Sequence, residues 1–96
     1  MKPSDALHLH RDAVRSIVAA HRARNPRVFG SVLHRTDTES SDLDLLVDPM
    51  PETTLLDIGA IRFELRRQLG VAVDVLTPAA LPERFREEVL AKAMPV

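Results

Sequence analysis

The chain contains no cysteine, no tryptophan and no tyrosine, and only three phenylalanines among 96 residues. Without cysteine there are no disulfides and no thiolate metal sites, which agrees with a reducing compartment. With so few aromatics, Phe29, Phe63 and Phe85 are expected in the core rather than as base-stacking platforms. Neither sign of charge dominates. Thirteen basic residues face fourteen acidic ones for a formal charge of −1, so no broad phosphate-binding surface, and no long nucleic acid substrate, is expected. No run approaches the roughly eighteen apolar residues of a membrane span. Met1-Lys2-Pro3-Ser4-Asp5 also lacks the apolar core of a signal peptide. The expectation is a soluble, cytoplasmic protein. No repeat, low-complexity tract or second domain interrupts residues 1–96. At 45% hydrophobic the chain supports one core, and a domain this small buries only about 60 to 65% of its unfolded surface, so its stability without a partner is modest.

What is present is concentrated between Gly30 and Asp44. Gly30-Ser31 is followed, after ten residues, by Asp42-Leu43-Asp44, and the segment is flanked by the apolar pieces Val28-Phe29 and Leu45-Leu46-Val47. In an extended strand side chains alternate faces, so Asp42 and Asp44 point the same way with Cα atoms roughly 7 Å apart. Two carboxylates so close repel unless a cation lies near them. A hard oxygen site of this kind suits Mg²⁺, which takes a few carboxylates together with substrate phosphates and water. Gly30 lets the backbone approach a ligand. Ser31 offers a hydroxyl and is expected to open a short helix whose N–H groups attract phosphate. Turn and carboxylates would grip opposite sides of one nucleotide.

Two metals clamping an in-line displacement call for a third acid. Asp74 is the candidate, because it lies inside the apolar run Val71-Ala72-Val73-Asp74-Val75-Leu76, where a lone carboxylate is costly without a partner. On the strand beside Asp42 and Asp44 it would hold the second metal and orient or deprotonate the attacking hydroxyl.

At Val28-Phe29-Gly30-Ser31, at Ser41-Asp42-Leu43-Asp44-Leu45-Leu46-Val47-Asp48 and at Val73-Asp74-Val75-Leu76-Thr77-Pro78, the chain resembles the DNA polymerase β nucleotidyltransferase superfamily. It is most similar to the minimal nucleotidyltransferase branch, and the resemblance extends over nearly the whole chain. It implies Mg²⁺-dependent transfer of a nucleoside monophosphate, usually from ATP, to a hydroxyl. In this branch the recipient is often a HEPN-domain toxin ribonuclease, so the nucleotidyltransferase acts as antitoxin by AMPylation. The resemblance makes Asp42, Asp44 and Asp74 catalytic and metal-binding, and Gly30 and Ser31 nucleotide-binding. Many members carry Ala-Arg-Gly two to four places after the motif serine; here Leu33, His34 and Arg35 stand there. Arg35 is the candidate for the phosphate contact, with His34 in the usual arginine place.

The spacing predicts an α/β (α+β) domain: a small three-stranded mixed sheet with helices on one face and the nucleotide on the other. Ser4 or Asp5 can cap a first helix with Leu7, Val14, Ile17 and Val18 in one stripe, ending before Asn25-Pro26. Strands are expected at 27–30, 42–47 and 71–76. Thr53 or Thr54 can cap a helix burying Ile58, Ile61, Leu65 and Leu69 and ending at Gly70. A last helix from about Pro82 spaces Phe85, Val89 and Ala93 four apart.

Each piece also has a plainer reading. Asp-x-Asp at a strand start is often a turn feature, and Gly-Ser is common in loops. Asp48 before Pro49 reads as a strand-end acid, and Glu39, Ser40 and Ser41 as a polar loop. His8, His10 and His21 lack a carboxylate cluster, so solvent-facing or packing roles are their default. Leu81, Phe85 and Leu90 could form an interface but more simply pack in the core. Alternatives to protein AMPylation are transfer to a small molecule and a non-catalytic antitoxin that works by covering its partner.

Overall fold

The computed structural model describes residues Met1–Val96. Helix α1 spans Pro3–Leu9 and α2 Arg11–Ala20, where one continuous helix was expected. The break falls at His10, whose φ of −122° and ψ of 25° leave the helical region. Its N–H divides between the carbonyls of Ala6 and Leu7. Neither Ser4 nor Asp5 caps α1. Pro3 stands at its start, where a missing N–H costs nothing, and the orphan Ser4 N–H donates instead to Oδ2 of Asp37 at 2.9 Å.

Strand β1 spans Ala23–Phe29 and β2 Leu43–Pro49, paired antiparallel. The expected start at Arg27 is too late, because the strand runs through a bulge at Asn25-Pro26, where the register shifts and Asn25 takes a φ of +55°. A proline cannot donate to a ladder, but at a bulge it need not. Helix α3, Leu55–Leu69, then crosses to β3, Val73–Leu76, which lies parallel to β2. Thr54 caps α3 in a reciprocal box with Asp57, and Gly70 closes it with a left-handed φ of +73°.

After a 3₁₀ turn at Pro78–Ala80 comes α4, Glu83–Lys92, and then a two-residue strand β4, Met94–Pro95, antiparallel to β1. The mixed sheet thus has four strands in the order β3-β2-β1-β4. The fourth is one more than the expected three. Two residues, one of them proline, carry no strand pattern; β4 is held by Val96, whose N–H donates to Pro26 O at 3.0 Å and whose carbonyl accepts from Arg15 Nε at 2.9 Å.

Alternation along the strands sorts the two faces. Leu43, Leu45, Val47, Val73 and Val75 are buried with Leu7, Val14, Val18, Ile61 and Leu65 from α1, α2 and α3. Asp44, Leu46 and Asp48 share the opposite face with Asp74 and Leu76. On that face Leu46 is fully buried outside the main cluster, and Leu81, which follows the 3₁₀ turn packed on β2, is buried too. Helix α4 buries none of its residues. Phe63 and Phe85, expected in the core, are 63% and 48% exposed, and Leu90 is exposed too. The core is filled by Val, Leu, Ile and Ala alone, so the aromatics were not needed there. No helix is long and apolar enough to cross a membrane.

Candidate active site

Three strands deliver the site. In the sheet register Phe29 of β1 opposes Asp44 of β2, and Asp44 in turn pairs with Asp74 of β3, forming one row across the sheet. Asp42 lies just before β2, two residues from Asp44, and is exposed. Asp74 is half-buried rather than enclosed, since its face of the sheet carries no α1–α3 layer. The chain leaves β1 at Gly30, whose φ is +73°. A Cβ there would collide with Oδ2 of Asp44 and lie 3.2 Å from its Cγ. The turn therefore rests directly against the central carboxylate, and only glycine allows it.

The short turn of helix expected over Ser31 to about Arg35 is a single hydrogen-bonded turn. His34 N–H donates to Gly30 O at 3.1 Å and Thr36 N–H to Ser31 O at 2.9 Å, closing a single turn. The backbone N–H groups of Ser31, Val32 and Leu33 have no protein acceptor. Successive free N–H groups of this kind form an anion-binding concavity without a helix dipole behind it.

Burial raises the Asp44 carboxyl to a pKa of about 6, and the charges of Asp74 and then Asp42 push in the same direction. The charges of Asp74 and Asp42 thus bear on Asp44, a repulsion that a divalent cation relieves. Every donor is a hard oxygen, which fits Mg²⁺. No three acidic or imidazole side chains converge to enclose an ion, and Mg²⁺ requires no such cage where phosphate oxygens and water complete its shell. By charge and donor type, Asp42, Asp44 and Asp74 fit the ion.

Other polar residues resolve differently. Asp48 is structural: Oδ1 accepts from Arg27 at 2.5 Å and Oδ2 from Asn25 at 3.0 Å, tying β2 to the β1 bulge. His21 does have a carboxylate, with Nε2 3.0 Å from Glu64 Oε2 joining α2 to α3; their separation of 43 positions hid it. His34 is exposed. Arg35, at a left-handed φ of +58°, lines a cleft that Gly30, Ser31 and the three aspartates do not line. Asp37 was not singled out by its sequence context. It is buried, and the Ser4 N–H holds its carboxyl below the usual range, pinning the polar loop to α1.

This geometry has counterparts. Residues 10–96 match the family model for a nucleotidyltransferase domain. A Methanocaldococcus jannaschii protein described as a candidate protein adenylyltransferase is 32% identical over 80 residues, covering 83% of this chain and 86% of that one. A solved structure described as a candidate minimal nucleotidyltransferase superposes with a TM-score of 0.86 at 43% identity, over 97% of this chain and 95% of the other. A crystal structure of a toxin–antitoxin with AMP-PNP shares the fold, with a TM-score of 0.74 at 15% identity over 88% of this chain and 69% of its own. With the carboxylate row and the glycine turn in place on a matching fold, the chain belongs to the nucleotidyltransferase domain family and is a nucleotidyltransferase of minimal size.

Proposed function

We propose that this protein transfers AMP from ATP to a hydroxyl of a partner protein in the cytoplasm, and that the partner is a HEPN-domain ribonuclease toxin it neutralises as antitoxin. The observation that carries the reading is the row Asp44–Asp74, with Asp42 beside it and Gly30 pressed against Asp44. The relative described as a candidate protein adenylyltransferase, and a shared fold with a toxin–antitoxin holding AMP-PNP, support the acceptor class.

In this reading Asp42 and Asp44 hold Mg²⁺ and Asp74 completes a second metal position. Bound there, the ions neutralise charge on the triphosphate and on the leaving pyrophosphate. The N–H groups of Ser31 to Leu33 and the Ser31 hydroxyl hold phosphate oxygens. Asp74 orients the acceptor hydroxyl and takes its proton as the oxygen attacks the α-phosphorus. The new phosphorus–oxygen bond forms while the bond to the β-phosphate oxygen breaks, and pyrophosphate carries away that electron pair. In this reading acceptor choice falls to the partner.

Incubation of a HEPN-domain ribonuclease that binds this chain with the chain, Mg²⁺ and ATP should add AMP units to one of its hydroxyl side chains, read by mass spectrometry, and abolish its ribonuclease activity. The Asp44→Asn variant should do neither. Full neutralisation by that variant, with no added mass, would leave binding alone as the mechanism.

A further inference from the structure

Behind the Gly30–Thr36 turn, on the helical side of the sheet, lies an open cleft of about 450 Å³, a size typical of small-molecule sites. It is separate from the carboxylate row: Val28 in its floor alternates with Phe29, which faces the same way as Asp44. Three cations line it, Lys2 ahead of α1, Arg11 at the start of α2 and Arg35 on the turn. None of the three has a carboxylate partner within ion-pair distance. The single acid in the wall, Asp37, already accepts the Ser4 N–H. Arg35 reaches the cleft from a left-handed backbone conformation, an arrangement disfavoured for a residue with a Cβ and concentrated at ligand sites. The remaining wall is apolar, with Leu7 and Val32 from the core and Met94 from β4.

We infer that this cleft is a second binding site, for a phosphate monoester of the nucleotide class, distinct from the site on the carboxylate face. Two guanidinium forks and an ammonium match a phosphate dianion, whose oxygens accept bidentate pairs. The apolar wall takes the body of the ligand, and the free lone pairs of Asp37 can accept from a ribose hydroxyl or a base amine. Arg35 and Val32 belong to the turn that also carries Ser31. A molecule held there braces the phosphate-binding turn from behind.

The test is methyl NMR of the full chain titrated with AMP in EDTA, which keeps Mg²⁺ from the aspartates. Saturable shifts are expected at Leu7, Val32 and Met94. Arg11→Gln should weaken AMP binding about tenfold, the loss of one charge-assisted contact. Lys2→Gln, at an exposed position outside any helix, provides a second variant whose fold is not at issue, and it should weaken binding in the same direction. Asp74→Asn should leave these shifts unchanged. AMP shifts confined to Leu46 and Leu76 on the carboxylate face, or equal affinity in wild type and both cation variants, would overturn the proposal. Inorganic phosphate binding as tightly as AMP would overturn the nucleotide class.

Discussion

Gly30 and Asp44 are the two residues on which the site turns, and each makes a measurable commitment. Gly30→Ala would combine a collision with the Asp44 carboxylate and a strained φ of +73°. It should cost about 1 to 3 kcal/mol by denaturant unfolding and lower transfer by about 100-fold or more, since phosphate and metal positions shift together. The Asp44 carboxyl is raised to a folded-state pKa of about 6, against 3.8 for an ordinary aspartate. The folded protein therefore binds this proton more tightly than the unfolded one, and the stability it lends is full below about pH 4. It is lost as pH rises to about 6 and beyond. Two pKa units set a ceiling of about 3 kcal/mol, and partial solvent access reduces this to the order of 1 to 2 kcal/mol. Metal-free wild type should lose that much stability between pH 4 and 7, whereas Asp44→Asn should lack this component of the pH slope. Gly30, Asp42, Asp44 and Asp74 were legible as candidates because chemistry forced unusual residues into apolar surroundings. The contact between Gly30 and Asp44 was not, being set by sheet register. The Ser4–Asp37 and His21–Glu64 contacts were not legible for the same reason, the partners lying 33 and 43 positions apart.

Among the elements, those with local signals were read well and those made by distant contacts were not. Helix α3 announced both ends, Thr54 with Asp57 and Gly70 in the left-handed region. Thr54→Ala should cost about 1 kcal/mol and lower the melting temperature by about 4 to 8 °C. The N–H of Asp57 would lose the Thr54 hydroxyl and keep only the Thr54 carbonyl, and that half of the box would go. Strand β1 was placed too late because its bulge is fixed by Arg27 and Asn25 gripping Asp48 across the strands. Strand β4 exists through its pairing with β1. The edge strand β3 is guarded by Arg62 and Arg66, whose Nε groups both donate to Val73 O, at 3.3 and 3.2 Å. Replacing both with serine should leave that edge open and increase concentration-dependent association, measured by light scattering.

For the molecule as a whole, one thin sheet divides the labour. Helices α1, α2 and α3 supply the core on one face, and the other presents three carboxylates with little apolar cover. Such a face is costly when empty and is relieved by what it binds. Mg²⁺-ATP at 100 times its Kd contributes about 2.7 kcal/mol, and for a domain this size it should raise the melting temperature by about 10 °C or more. Asp42→Asn should lose most of that gain. The exposed Phe63, Phe85, Leu55 and Leu56 show that apolar surface is left over once the core is complete.

The central claim is that the carboxylate row and the glycine turn together transfer AMP. It is tested most directly by supplying the chain and the proposed HEPN partner with ATP labelled at either the α- or the γ-phosphate. The account predicts that the α-label becomes covalently attached to the HEPN protein, that the γ-label leaves as pyrophosphate, and that Asp42→Asn, Asp44→Asn and Asp74→Asn each abolish incorporation. Attachment of the γ-label, or undiminished α-label with the Asp44→Asn chain, would contradict it.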